Sequence, residues 1–328
     1  MTHDARILFI VPAGNEQCNL FAQTLKGAMP DRDITITPAG LSATLFATRK
    51  YDLVHVFTHR SGRKSSEKSR IIHTIVGQPE KPQRYRSFVG SHVVAFSQIA
   101  KSAIETYAPG IPVEVIPPCT MLQDPVLLEP PSEIKLEFGV GERMLVLALS
   151  DISSRKEFDA FLYVAREYNR REMFRFLIPR YKTDKETSLW RERLRNSIEL
   201  ERLTCAILLE DASRLHSWID SADFCVFLKR EPEKEFEFPL RVVEAMLRGK
   251  TVLSFNLPPV NEYVHEIGAS FVCNNIEDVT RESKDIQKLQ AKMEEQSTEV
   301  ARYARSRFGI ETVTALYNDL YSRVLGQS

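Results

Sequence analysis

Glu244 stands among Val242, Val243, Ala245 and Met246, a charged residue in an otherwise apolar or small neighbourhood. A carboxylate in such a place is either solvated or accepts hydrogen bonds from specific donors, such as ribose hydroxyls. Upstream, an apolar run ends in Lys229 and Arg230, and Glu231, Glu233, Glu235 and Glu237 follow. Cations at the end of a strand can hold phosphate; balanced by those glutamates, they can equally be a solvated loop end. Lys156 lies in SDISSRKEFD, residues 150–159, which follows one apolar run and opens an amphipathic one. It therefore reads as a cation near a strand's carboxyl end, or as a solvated helix-start residue. His55, His59 and His73 are the histidines of the first half that could move a proton. His73, inside an apolar run, also reads as a core histidine. Gly14, in Pro12-Ala13-Gly14-Asn15, is a lone glycine after the first apolar run, well short of a full phosphate-loop pattern.

The elements that would position these groups are legible around residues 222–256, ADFCVFLKREPEKEFEFPLRVVEAMLRGKTVLSFN. Phe224 to Leu228 reads as a buried parallel strand. Pro239 suits the first turn of a helix, and Leu240, Val243 and Leu247 fall at helical spacing on one face. Gly249 ends that helix, and Thr251 to Phe255 form the next strand. This is a βαβ unit. In open α/β sheets its loop-to-helix junction is where ligands bind, with free N–H groups offered to phosphate.

FPLRVVEAMLRGKTVLSFN resembles the donor-sugar site of GT-B glycosyltransferases, specifically the retaining family 4 (group 1). The resemblance implies two Rossmann-like, doubly wound α/β domains facing across a cleft, with a closing helix that crosses back to the first. It extends over most of the chain, through YDLVHVFTH, HTIVG, VVAFSQIAKSAIETY, VEVIPPC and RFGIETVTALYNDLYSRVL. It implies that Glu244 binds the nucleotide ribose, that Lys156 grips the diphosphate, and that Glu237 or Glu235 stands in for a sugar-binding glutamate. Lys229, Arg230, Pro239, Leu240, Glu262 and Gly14 complete the implied donor site, and His73 or His59 would take the catalytic-region histidine's role. No metal and no cofactor are implied, the nucleotide-sugar being the donor substrate.

Four positions depart from the family's pattern. Asp151 stands where an arginine is expected, Phe236 where the first glutamate is, Val76 where the histidine is, and Pro258-Pro259 where a glycine pair offers N–H groups. All four fall on the donor-phosphate and catalytic side. Two readings follow: an active transferase moving a hexose to a polysaccharide, glycolipid or other cell-envelope acceptor, or a catalytically silent GT-B protein binding sugar, nucleotide or a partner glycosyltransferase.

Composition bounds these readings. The 328 residues balance 44 Lys+Arg against 44 Asp+Glu, with 43% hydrophobic residues, which suits two globular domains. Neutral charge without a basic-aromatic module argues against a nucleic-acid partner. The five cysteines are scattered without a CxxC, as in reduced cytoplasmic proteins. No run approaches a membrane span, and no signal peptide is evident. The basic Arg60 to Arg70 segment suggests peripheral contact with an anionic inner membrane face or acceptor, or a solvated loop. Alternating strands and helices give a shortened N-terminal domain over 1–120, a proline-containing linker over 121–141, a donor domain over 142–305 and a closing helix over 306–328.

Overall fold

The computed structural model describes residues 5–38, 50–58, 70–77, 92–230, 238–258, 260–264, 271–282 and 286–326. The strands are β1 (Arg6–Val11), β2 (Asp33–Pro38), β3 (Leu53–Thr58), β4 (Ile71–Ile75), β5 (His92–Ala95), β6 (Val113–Val115), β7 (Met144–Ala148), β8 (Phe174–Ile178), β9 (Ala206–Leu208), β10 (Phe224–Phe227), β11 (Val252–Phe255) and β12 (Phe271–Cys273). The helices are α1 (Glu16–Gly27), α2 (Gln98–Tyr107), α3 (Pro131–Glu137), α4 (Arg155–Arg171), α5 (Lys185–Glu201), α6 (Leu215–Ser221), α7 (Leu240–Leu247), α8 (Val260–Val264), α9 (Ile276–Glu282), α10 (Ile286–Phe308) and α11 (Ile310–Leu325). The chain forms two compact units, one of residues 1–121, 232–240 and 305–328, the other of 122–231 and 241–304. The helix expected at 41–48 lies outside the described residues.

The first unit is a parallel six-stranded sheet in the order β2-β1-β3-β4-β5-β6. Every residue of β3 and β4 is buried, as expected of parallel strands covered on both faces. Asn15 caps α1 by accepting from the Cys18 N–H at 2.8 Å, after Gly14 has turned the chain at φ +79°, a conformation glycine adopts without strain. Phe21 of α1 meets Phe57 and Phe96 edge-on. The last helix, α11, sends Val313, Tyr317, Leu320, Tyr321 and Leu325 into the same core.

The second unit is also a parallel sheet, ordered β12-β11-β10-β7-β8-β9. Its core is built on Phe161, Tyr168, Phe174, Phe176 and Phe224, all fully buried. Gly249 ends α7 at φ +73° where a Cβ would stand 2.6 Å from Ser297 Oγ, so only glycine fits without moving α10. Residues 121–141, read from sequence as a linker, carry a short 3-10 turn and α3. Ile134 is buried there, and Arg214 donates to both Glu129 and Glu137, which fixes the segment within this unit. The polar stretch over residues 277–305 is divided between two helices, α9 and α10.

Candidate functional site

Ligands of doubly wound sheets sit outside the carboxyl ends of the strands, where the strand order reverses. In the second unit that point lies between β7 and β10, which pair in parallel and lead outward to β8 and to β11. Ser150, just past β7, accepts the Leu228 N–H at 3.1 Å and ties the two strand ends together.

Lys229 follows directly. Its Nζ lies 2.6 Å from Ser153 Oγ and 3.2 Å from Glu157 Oε1, the two charged side chains being 7% and 3% exposed. Glu157 Oε2 in turn accepts from the Ser153 N–H at 2.7 Å and from its hydroxyl at 2.8 Å. This corrects the picture of Lys229 as a solvated loop end or as a spare cation for phosphate. Burial would cost several kcal/mol for either charge alone, so the two neutralise each other at the start of α4. The carboxylate occupies the helix N-terminus, which favours an anion.

Arg230 behaves differently. Its guanidinium stacks 3.8 Å above the Phe255 ring and makes no ion pair among the described residues. Lys156 is exposed in the first turn of α4. Arg155, its neighbour, is exposed beside Asp159 and does not replace the missing arginine.

Asp151 is 3% exposed. Its Oδ1 accepts from the backbone N–H groups of Tyr181 and Lys182 at 2.9 and 3.3 Å, bracing the loop after β8. Burial raises its pKa above the usual carboxylate range, with Arg241, the Tyr181 N–H, Lys182 and Lys229 pulling it back. The aspartate read as a repulsive charge toward diphosphate thus has a structural task, because two N–H groups need an acceptor there. Arg241 stacks 3.9 Å over the Tyr181 ring, and the Tyr181 hydroxyl donates to the Ala148 carbonyl at 2.6 Å.

Glu244, a turn into α7, is 3% exposed. His216 Nδ1 on α6 donates to its Oε1 at 2.6 Å, and Arg248 Nε reaches the same oxygen at 3.1 Å. Arg248 is also 3.6 Å from Asp220 of α6. The carboxylate is therefore neither solvated nor alone. Pro239 directly precedes the first helical residue, Leu240, instead of lying inside the first turn. Lacking an N–H, proline leaves no donor unmet at either place. Leu240 is buried in the first unit's core. Glu262 is half-buried on α8, and Pro258 is exposed.

In the first unit, Gly14 lies at the carboxyl end of β1, beside the β1–β3 reversal. His73 is buried in the middle of β4, and burial pushes its pKa down to about 4. A ring buried within a strand fits the core histidine that its apolar run also allowed. Val76 is likewise fully buried. His55 lies 2.7 Å from Tyr321 OH and 2.6 Å from Thr74 Oγ1 through its two ring nitrogens, and Thr74 Oγ1 is 3.2 Å from Tyr317 OH. Its pKa is held well below the ordinary value by burial and by His73. His59, Glu235, Phe236, Glu237, Pro259 and residues 60–69 of the basic segment lie outside the described residues.

Sequence reasoning missed Glu157, His216, Arg248 and Arg241. Two signals were present: Ser154-x-x-Glu157 has the spacing of a helix-start capping box, and Glu244 and Arg248 are four apart on one helix. Nothing local marks His216.

No protein-family model and no curated protein matches the sequence. Solved structures do. HepE of Anabaena, solved with UDP, gives a TM-score of 0.76 at 14% identity, over 97% of this chain and 100% of that one. A glycosyltransferase from Rickettsia africae ESF-5 gives 0.77 at 15% identity, over 99% and 100%. The fold is that of the GT-B glycosyltransferases. WaaG, a GT-B protein involved in lipopolysaccharide biosynthesis, gives 0.69 at 10% identity over 98% of this chain and 100% of that one. Among the described residues no helix is long and apolar enough to cross a membrane.

Proposed function

We propose that this chain is a glycosyltransferase that moves a hexose from a nucleotide-sugar to a polysaccharide, glycolipid or other cell-envelope acceptor. The reaction is metal-independent and retains the anomeric configuration, as in the family that its motif resembles. The observation that carries this reading is the buried Glu244, whose two donors among the described residues both end on Oε1; a third donor such as a ribose hydroxyl would meet Oε2. Arg230 and Lys156 supply charge at the same carboxyl edge of the sheet, where a departing diphosphate gains negative charge. Glu262 belongs to the phosphate end. Glu235 or Glu237 holds the sugar, and His59 is the remaining catalytic-region histidine. Residues 60–70 touch an anionic membrane face or acceptor.

Support comes from the GT-B fold and from the neighbours' own ligands: HepE was solved with UDP and with UDP-glucose. The test is calorimetric titration with UDP, GDP, ADP and their sugar conjugates, starting from UDP. Micromolar binding of one nucleotide is expected, weakened by about 1–3 kcal/mol in Glu244→Gln, the cost of an unpaired buried partner. Lys156→Ala should weaken the diphosphate far more than the nucleoside.

A second reading is a silent GT-B subunit that binds a sugar, a nucleotide or a partner glycosyltransferase. The Glu157–Lys229 pair favours it, because it places a carboxylate and a spent cation where a diphosphate would seek free positive charge. Binding of none of the nucleotides would select this reading over the enzymatic one.

A further inference from the structure

The first unit carries a cleft of its own, between Ala28 at the C-cap of α1 and one face of α11. It measures about 370 Å³ and is lined by Ala28, Ile310, Glu311, Thr314, Ala315 and Asn318. Small-molecule sites begin at about 300 Å³. Glu311, Thr314, Ala315 and Asn318 recur at helical spacing, so the face runs for roughly 10 Å from Glu311 to Asn318. Glu311, at one end, is exposed and has no ion pair or hydrogen bond among the described residues. At the other end Arg32 donates from Nε to Asn318 Oδ1 at 3.3 Å and from Nη2 to Ser322 Oγ at 3.4 Å. Because a guanidinium only donates, the amide is held with its oxygen on Arg32, and Nδ2 remains for another acceptor. Thr314 forms the floor between them and is 7% exposed. Its Oγ1 is buried without a hydrogen-bond partner, which costs stability. A helical threonine has two χ1 wells open to it, so this hydroxyl can turn toward the cleft when a partner arrives there.

We propose that this cleft is a saccharide-binding site, which holds a neutral stretch of the acceptor chain rather than its reacting end. A sugar ring presents hydroxyls at its edges and C–H groups on its faces. The carboxylate of Glu311 accepts from hydroxyls, Asn318 Nδ2 donates to them, and the Thr314 hydroxyl does either. Ala28, Ile310 and Ala315 supply the apolar wall against which ring faces lie. No lysine or arginine lines the cleft and a carboxylate does, so a phosphate or a uronate would be repelled. The site shares no residue with the carboxyl edge of the second sheet. Only the name acceptor rests on the transferase reading; the saccharide site itself does not.

The test is calorimetric titration of the full chain with maltose, cellobiose, lactose and N,N′-diacetylchitobiose. At least one of these should bind with a millimolar Kd, and equally well to Glu244→Gln. Thr314→Val and Asn318→Ala should each weaken that binding about fivefold, the effect of one lost hydrogen bond. Ala315→Leu, at an exposed helical position, should fill the cleft and abolish it. Thr314→Val should meanwhile melt no lower than wild type, because a methyl replaces a buried hydroxyl that had no partner. A merely structural threonine would instead lower the melting temperature. Binding of none of the four disaccharides overturns the inference, as does binding that survives Ala315→Leu or is unchanged in both Thr314→Val and Asn318→Ala. Disaccharide binding by a protein that takes none of UDP, GDP and ADP would leave the cleft standing and remove the transferase reading. Nucleotide binding without disaccharide binding would do the reverse.

Discussion

The two units share an architecture and differ in what they bury. Behind the first unit's sheet the buried polar groups are neutral: His55, Thr74, Tyr317 and Tyr321 bond one another. Along the carboxyl edge of the second sheet they are charged: Glu157 with Lys229, and Glu244 with Arg248. Burying a neutral group costs little once it is bonded, whereas burying a charge demands a partner of opposite sign. The neutral set joins α11 to β3 and β4 and has the character of a structural staple. The charged set stands where doubly wound sheets receive ligands, and each buried charge in it is met by a partner of opposite sign.

The comparison can be broken most forcefully at Lys229. Lys229→Ala leaves Glu157 uncompensated and should destabilise the second unit by about 3–5 kcal/mol. The double variant Lys229→Met with Glu157→Gln should recover most of it, both read by chemical denaturation. A single variant that melts like wild type would mean that the pair is not a buried charge pair at all.

Next in size is the response of the first unit to acid. The unfolded chain protonates its histidines near pH 6.5, while His73 is held neutral down to about 4 and His55 is lowered in the same direction. Between those values the unfolded state binds the extra proton, so stability is full above pH 6.5 and falls as pH falls. The slope is about 1.4 kcal/mol per pH unit for each histidine, or ~3 kcal/mol for His73 over the whole window. Denaturation at pH 7.5 and 5, with and without His73→Leu, measures it, and a variant with an unflattened slope would remove His73 from the account. The smallest effect is expected from Tyr321→Phe, which deprives the buried His55 Nδ1 of its partner and should cost about 1–3 kcal/mol. A loss that adds to that of Thr74→Val without coupling would show that the four groups do not act as one network.

The fold was legible because buried parallel strands are written as continuous apolar runs. Met144 to Leu149 and Phe224 to Leu228 needed only their length and their bounding turns to be recognised, and the structure places β7 and β10 within them. That Glu244 needs donors was legible too, since a lone charge in an apolar helix calls for a partner. Its partner was not. His216 lies 28 positions from Glu244, Lys229 lies 76 from Ser153, and His55 lies 266 from Tyr321. Such pairings are set by the order of strands in a sheet, which no local period encodes. Asp151 shows the converse: read against a family pattern it was a defect, yet it accepts two N–H groups of the loop after β8.

The helix at residues 310–325 supplies Tyr317 and Tyr321 to a core whose other walls are made by residues 5 to 119 and by Leu240. On the ribosome, the strands of residues 5 to 119 must therefore wait, their apolar interior short of one wall until residues 310–325 have been made. The second unit, whose residues end at 304, can close its core sooner. The order of completion runs opposite to the order of translation, so the earliest strands are those that stay open to chaperones the longest.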